Sequence, residues 1–191
     1  MVKRIIIAGV GGQGILLASD ILSEVCMEAG FDVKKSEVHG MSQRGGDVVS
    51  HVVYGEKVYS PLIGEGDADV ILSFEKIEAL RNIDFLKKDG VMIINKMEIK
   101  PLPVASGLAD YPKNPIDDIK KHVNNVIVVD GQKEAEQIGN IRVMNVILLG
   151  ILASHMDIKK ELFVETVKKK VPPKTVDMNI EAFNFGYSYS G

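Results

Sequence analysis

Cysteine is nearly absent from this chain, tryptophan is wholly absent, and other aromatic residues are few. The single cysteine excludes a disulfide framework, and it excludes an iron–sulfur or cysteine-ligated zinc site made by this chain alone. Cys26 lies between Val25 and Met27 in an apolar helical stretch, the setting of a buried structural thiol rather than a reactive one. An excess of positive charge is also missing: 23 basic residues against 26 acidic ones leave a net charge of −3, so the chain has no footprint for nucleic acid. Its one dense basic run, Lys168-Lys169-Lys170, reads as the solvated face of a helix. Apolar runs of membrane-spanning length are absent, and the first residues enter a strand without a charged leader. The expectation is a reduced, cytoplasmic location with no membrane partner.

Catalytic signatures are equally scarce. No G-x-S-x-G is present, so a nucleophile elbow is excluded. His39 has no carboxylate or cysteine at metal-ligand spacing and reads as a hydrogen-bonded loop residue. His51 alternates within a strand, and His122 and His155 sit on helices away from the glycine motifs. Neither a catalytic residue nor a metal ligand is expected in this chain.

Glycine is what the chain has. An apolar β-branched run, Arg4-Ile5-Ile6-Ile7-Ala8, stops at Gly9, and apolar residues then recur at helical spacing through Ile15, Ala18, Leu22, Val25 and Ala29. Gly9, Gly11 and Gly14 fit G-x-G-x-x-G, with Gly12 and Gln13 inside the motif. Glycines there permit a tight turn, close approach of a ligand to the backbone, and close packing of helix on strand. The helix N-terminus then presents unpaired N–H groups and a partial positive charge, so an anion such as a phosphate is the expected ligand.

The first helix is expected to end at Gly30, and Phe31 to Val38 reads as a second strand closing a right-handed βαβ unit. A dinucleotide-binding fold would then return to a helix. This chain gives instead a second glycine loop, His39-Gly40-Met41-Ser42-Gln43-Arg44-Gly45-Gly46, and an alternating strand over Asp47–Tyr54. Gly55-Glu56 suits a two-residue turn back through Lys57–Ser60, which predicts an antiparallel hairpin. Strands follow at 69–74, 91–95 and 126–130, with helices over 75–86, 115–122, 141–156 and 158–170. Prolines break the pattern between Lys96 and Pro115. Pro172-Pro173 opens an aromatic tail, 172–191, which either packs back on the core or contacts a partner. The prediction is one domain over 1–191: an α/β, Rossmann-like three-layer sandwich with a mixed, mainly parallel sheet including one antiparallel hairpin.

Both glycine loops are expected at the sheet edge where open α/β sheets bind ligands. Arg44 could clamp a phosphate or carboxylate, with Ser42 and Gln43 as further donors and Gly45 and Gly46 giving access to the backbone. Glu37 stands where a dinucleotide-binding protein holds ribose hydroxyls, or else pairs with Arg44 or a lysine and fixes the loop.

Taken together, Gly9-Val10-Gly11-Gly12-Gln13-Gly14 and Ser36-Glu37-Val38-His39-Gly40-Met41-Ser42-Gln43-Arg44-Gly45-Gly46 resemble the gamma-type subunits of the 2-oxoacid:ferredoxin oxidoreductases, and look most like the indolepyruvate branch. The resemblance spans essentially the whole chain. It implies a subunit, inactive alone, of a complex in which thiamine diphosphate and iron–sulfur clusters belong to a larger partner. Coenzyme A would accept the acyl group of the decarboxylated 2-oxoacid, an aryl one such as indolepyruvate rather than the pyruvate of other branches, and ferredoxin would take the electrons. The two glycine loops would then help to hold coenzyme A or a partner loop. A free-standing NAD- or FAD-binding oxidoreductase and a non-catalytic nucleotide-binding scaffold are the alternative expectations.

Overall fold

The computed structural model describes residues 2–40 and 46–190. Six strands, β1 (Lys3–Val10), β2 (Asp32–His39), β3 (Asp47–Gly55), β4 (Ala68–Ser73), β5 (Leu86–Asn95) and β6 (Asn125–Val129), form one sheet in the order β2-β3-β1-β4-β5-β6. β1, β4, β5 and β6 are parallel, whereas β3 runs antiparallel to both β1 and β2. The helices are α1 (Ile15–Glu28), α2 (Lys76–Arg81), α3 (Leu102–Ala105), α4 (Pro115–Lys120), α5 (Gly131–Ile138), α6 (Met144–Ala153), α7 (Lys160–Lys170) and α8 (Val176–Tyr187).

The unbroken apolar run of β1 is explained by burial on both faces, because a strand covered on each side has no polar position. Ile5 and Ile7 pack into a core with α1, α6, α7 and α8, while Ile6 and Ala8 face a second core with α2 and α4. α6 is buried along its whole length, which fits a helix with almost no polar residue. β2, by contrast, is an edge strand with a lysine pair, Lys34 and Lys35, of the kind that discourages edge-to-edge association.

Three expectations are corrected. The hairpin is β2–β3, closed across the second glycine loop, and Lys57–Ser60 is not a strand. The reason is that β3 is flanked on both sides by β1 and β2, so no free edge is left for a returning strand. The helix read over 75–86 ends at Arg81, where the Asn82 side chain donates to the Glu78 carbonyl, and a short 3-10 turn over Ile83–Phe85 leads into β5. Lys87–Gly90 consequently belongs to β5 as a bulge: Ala68 pairs with Leu86, and Val70 with Val91. Finally, β2 does not lie beside β1. β3 stands between them, which separates the parallel pair by two strand spacings, about 10 Å.

The tail turns back on the core. α8 crosses α6 where two glycines meet, for a Cβ on Gly186 would collide with the Ile147 carbonyl and one on Gly150 with the Phe183 carbonyl. Phe183 is wholly buried and stacks on Phe163 of α7 at 5.7 Å.

Candidate ligand cleft at the glycine turn

β1 hands over to α1 through a turn in which each glycine meets a different constraint. A Cβ on Gly9 would lie 2.7 Å from Gln13 Oε1 and 2.8 Å from Phe74 Cβ, so close packing alone excludes a side chain. Gly12 has φ +98° in open space, and its requirement is conformational. Gly14 combines both: φ is +86°, and a Cβ would meet Asn145 Nδ2 at 2.5 Å. The first intrahelical bond of α1 runs from Ala18 N–H to the Gly14 carbonyl at 3.1 Å. The N–H groups of residues 15–17 therefore have no intrahelical acceptor. No side chain caps them and no acidic residue lies in the first turn, so the positive end of the helix is open to an anion.

That end faces a cleft of about 690 Å³ lined by Gly11, Gly12, Gly14, Leu16, His39 and Asp47, among others. The two glycine loops meet here. Gly11 N–H donates to the Gly46 carbonyl at 2.9 Å, and Gly40 N–H donates to the Asp47 carbonyl at 2.8 Å, closing the neck of the second loop. Ser42, Gln43, Arg44 and Gly45, expected as donors and access points, lie outside the described residues.

Gln13 is occupied within the turn. Its Oε1 accepts from Val10 N–H at 2.7 Å and its Nε2 donates to the Phe74 carbonyl at 3.0 Å. The side chain thus ties the β1–α1 turn to the end of β4. This is where α1 and α2 leave for opposite faces of the sheet, the crevice in which doubly wound folds place ligands. Glu37, on the far side of β3, pairs with Lys35 at 2.7 Å and lies 3.6 Å from His39 Nε2. Of the two readings of Glu37, the pairing with a lysine is the one present.

Several polar residues of this edge carry no sequence motif. Glu75 is fully buried, yet its carboxylate accepts four bonds: from Ile77 N–H at 2.6 Å, Glu78 N–H at 3.1 Å, Ile99 N–H at 3.1 Å and Tyr111 Oη at 2.5 Å. It caps α2 and pins both ends of the proline-rich segment. Burial, followed by the bond to Glu75, pushes the Tyr111 phenol above its usual range. Asn95 donates to the Phe74 carbonyl at 3.1 Å and accepts from Gly131 N–H at 2.9 Å, joining the ends of β4, β5 and β6. Glu78, also buried, has its carboxyl raised to about 7, chiefly by burial; Arg81 at 2.7 Å opposes the rise, and Asp47 and Glu75 add to it. For Glu75 and Asn95 the trace in the sequence is a polar residue at the end of a buried strand, while Glu78, inside α2, and Tyr111, between α3 and α4, leave none.

Cys26 is buried on α1 with its thiol pushed up to about 12 by burial. A protonated, enclosed lone thiol does not fit an iron–sulfur cluster. Among the described residues no group of three His, Cys, Asp or Glu side chains could hold a metal ion, and no helix is long and apolar enough to cross a membrane.

A parallel sheet with helices on both faces and a glycine turn at its switch point defines a Rossmann-like protein, one in which an antiparallel strand occupies the place beside β1. The sequence matches the family model for pyruvate ferredoxin/flavodoxin oxidoreductase over residues 4–189. It is 45% identical over 190 residues to the indolepyruvate oxidoreductase subunit IorB of Thermococcus kodakarensis, covering 96% of this chain and 93% of that one. Among solved structures it superposes on the pyruvate oxidoreductase subunit PORC of Thermotoga maritima with TM-score 0.74, 21% identity and coverage of 97% and 95%. It also matches 30% of the longer chain of a 2-oxoglutarate:ferredoxin oxidoreductase from Magnetococcus marinus, solved with 2-oxoglutarate, coenzyme A and succinyl-CoA bound, with TM-score 0.72, 21% identity and 98% of this chain covered. The chain belongs to the pyruvate ferredoxin/flavodoxin oxidoreductase family, as a small subunit of a 2-oxoacid:ferredoxin oxidoreductase.

Proposed function

We propose that this chain is the small subunit of an indolepyruvate-type ferredoxin oxidoreductase and that it works as one gamma-type domain in the cytoplasm. The observation that carries the reading is the full-length 45% identity to an IorB subunit. A single buried cysteine leaves iron–sulfur clusters to a larger partner, which on this reading also holds thiamine diphosphate and passes the electrons to ferredoxin. What this chain offers is the cleft between the glycine loops. The open N-terminus of α1 suits a phosphate of coenzyme A, and Gly11, Gly12 and Gly14 let the ligand or a partner loop approach the backbone, while Gly9 keeps the turn packed on Phe74 and Gly46 ties the second loop to Gly11. Arg44, with Ser42, Gln43 and Gly45, supplies charge and donors from the second loop. Gln13 acts by holding the first glycine turn to the end of β4, and Glu37 by pairing with Lys35 along β2, rather than by touching the ligand.

The insertion of β3 argues against a free-standing NAD enzyme. It moves Glu37 away from β1 and engages it with Lys35, so the carboxylate at the end of β2 does not stand beside the glycine turn where a dinucleotide-binding protein would hold a ribose.

Anaerobic co-purification from the native source tests the reading. A thiamine-containing brown partner is expected, together with indolepyruvate- and coenzyme A-dependent reduction of a viologen dye, and the isolated chain is expected to show no activity. Arg44→Ala is expected to leave the isolated fold intact and to raise the KM for coenzyme A or weaken assembly, since a charged residue in a glycine-rich stretch contributes little to a core. Recovery of the chain alone, with tight binding of NAD or FAD, would replace this reading with that of a free-standing enzyme.

A further inference from the structure

The opposite edge of the sheet, where the parallel strands begin, carries a second cavity. The bulge at Lys87–Gly90 and the α6–α7 connection at 155–157 stand on either side of it, and its volume is about 780 Å³, within the range that takes one small organic molecule. Its floor is apolar, made by Ile5, Val70, Val91 and the aromatic pair Phe31–Tyr54, whose rings are 5.3 Å apart. Tyr54 is only 6% exposed, and no hydrogen-bond partner of its hydroxyl is found among the described residues. Among those residues only Ser50 Oγ and Asn145 Oδ1 are sealed away without a partner, so the Tyr54 hydroxyl opens into the cavity that its ring lines. An enclosed phenol with an unused oxygen beside an apolar floor is half of a recognition site.

The rim supplies the other half. Asp69 is already neutralised, bonded to Lys87 at 2.8 Å and to Arg4 N–H at 2.8 Å, with Lys3 at 3.8 Å. Glu56, Asp89 and Asp157 also line the cavity and form no ion pair among the described residues. The basic groups left to face them are Lys88 and His155, and the His155 Nδ1 is already bonded toward the Ile151 carbonyl at 2.9 Å. With Lys3 and Lys87 both on Asp69, the lining sets four carboxylates against three lysines, so the rim is net acidic by one charge over an aromatic floor.

We infer that this cavity binds a small arylalkyl ammonium compound, its ring against Phe31 and Tyr54 and its ammonium donating to the Tyr54 hydroxyl oxygen and the Asp157 carboxylate. Burial, with Cys26, Asp69 and Asp157 nearby, holds the phenol protonated far above neutral pH, so the site does not change its own charge over the working range. Such a site lies at the other end of the strands from the glycine cleft and is independent of the function proposed above.

Titration of the full chain with 2-phenylethylammonium, followed by calorimetry and by ligand-observed NMR, tests this. One saturable site with Kd about 100 μM is expected. Phenylacetate, with the same ring and the opposite charge, and ethylammonium, with the charge and no ring, should bind at least tenfold more weakly. Tyr54→Phe keeps the ring and core and removes only the hydroxyl; Asp157→Asn alters an exposed side chain. Each should weaken binding about fivefold without moving the melting temperature. Equal binding of phenylacetate, indifference to both substitutions, or no saturable binding to a folded chain overturns the proposal.

Discussion

At the scale of single residues, the glycine turn separates two requirements that a G-x-G-x-x-G pattern merges. Gly12 needs only its positive φ, whereas Gly14 needs that conformation and also the space taken by Asn145. Gly12→Ala should therefore cost about 1 kcal/mol, the price of a left-handed alanine. Gly14→Ala should cost about 2–4 kcal/mol, because a buried amide must also move. Urea unfolding of the two variants compares them directly, and equal losses would show that Asn145 yields freely. The glycines were legible in the sequence because the turn they permit has one pattern. Gln13 was legible as a member of that pattern, but its bonds to Val10 and Phe74 were not, since they depend on where β4 ends.

Among the elements, periodicity located β1, α1, β4, β6 and α7 well, because each is buried on a face or faces that match its own period. It failed where neighbours decide. Lys57–Ser60 alternates and follows a turn signal, yet β3 has no free edge to pair with it. Lys87–Gly90 reads as a helix ending and is a strand bulge, imposed by the register of β5 on β4. The aromatic tail is the clearest instance. Phe183, Phe185 and Tyr187 suggested either a sticky surface or a packed one, and the deciding residue is Gly186, which has no aromatic character at all. It lets α8 approach α6 closely enough to bury Phe183 against Phe163. Gly186→Val should undock α8, because the added carbons meet the Ile147 backbone rather than a movable side chain. The expected result is a loss of about 3 kcal/mol or more and early proteolysis confined to residues beyond Pro172. A protease-resistant, normally stable variant would show that the two helices can slide apart without cost.

Over the whole molecule, the edge that carries the glycine cleft was legible as a place, while the polar framework beneath it was not. Two glycine loops can be placed at one edge by strand order alone, but Glu75, Glu78, Asn95 and Tyr111 come together only through the assembled sheet. That framework has a thermodynamic consequence for the molecule. Glu78 holds its proton to about pH 7 when folded, against 4.5 as its ordinary value. Between those pH values the unfolded chain gives up the proton while the folded chain keeps it, so the folded state binds more protons and stability falls as pH rises. The loss is complete above about pH 7, and it amounts to at most about 3 kcal/mol, with the opposing pull of Arg81 already contained in the raised value. Glu78→Gln keeps the shape and an acceptor for Arg81 but cannot ionise. Urea unfolding at constant ionic strength from pH 5 to pH 8 should show wild type losing stability relative to the variant across that window, with the difference flat above it. Groups such as His51, whose pKa burial lowers, are common to both proteins and cancel in the comparison. Parallel curves would mean that Glu78 ionises normally, and that water reaches the carboxylates beneath the cleft.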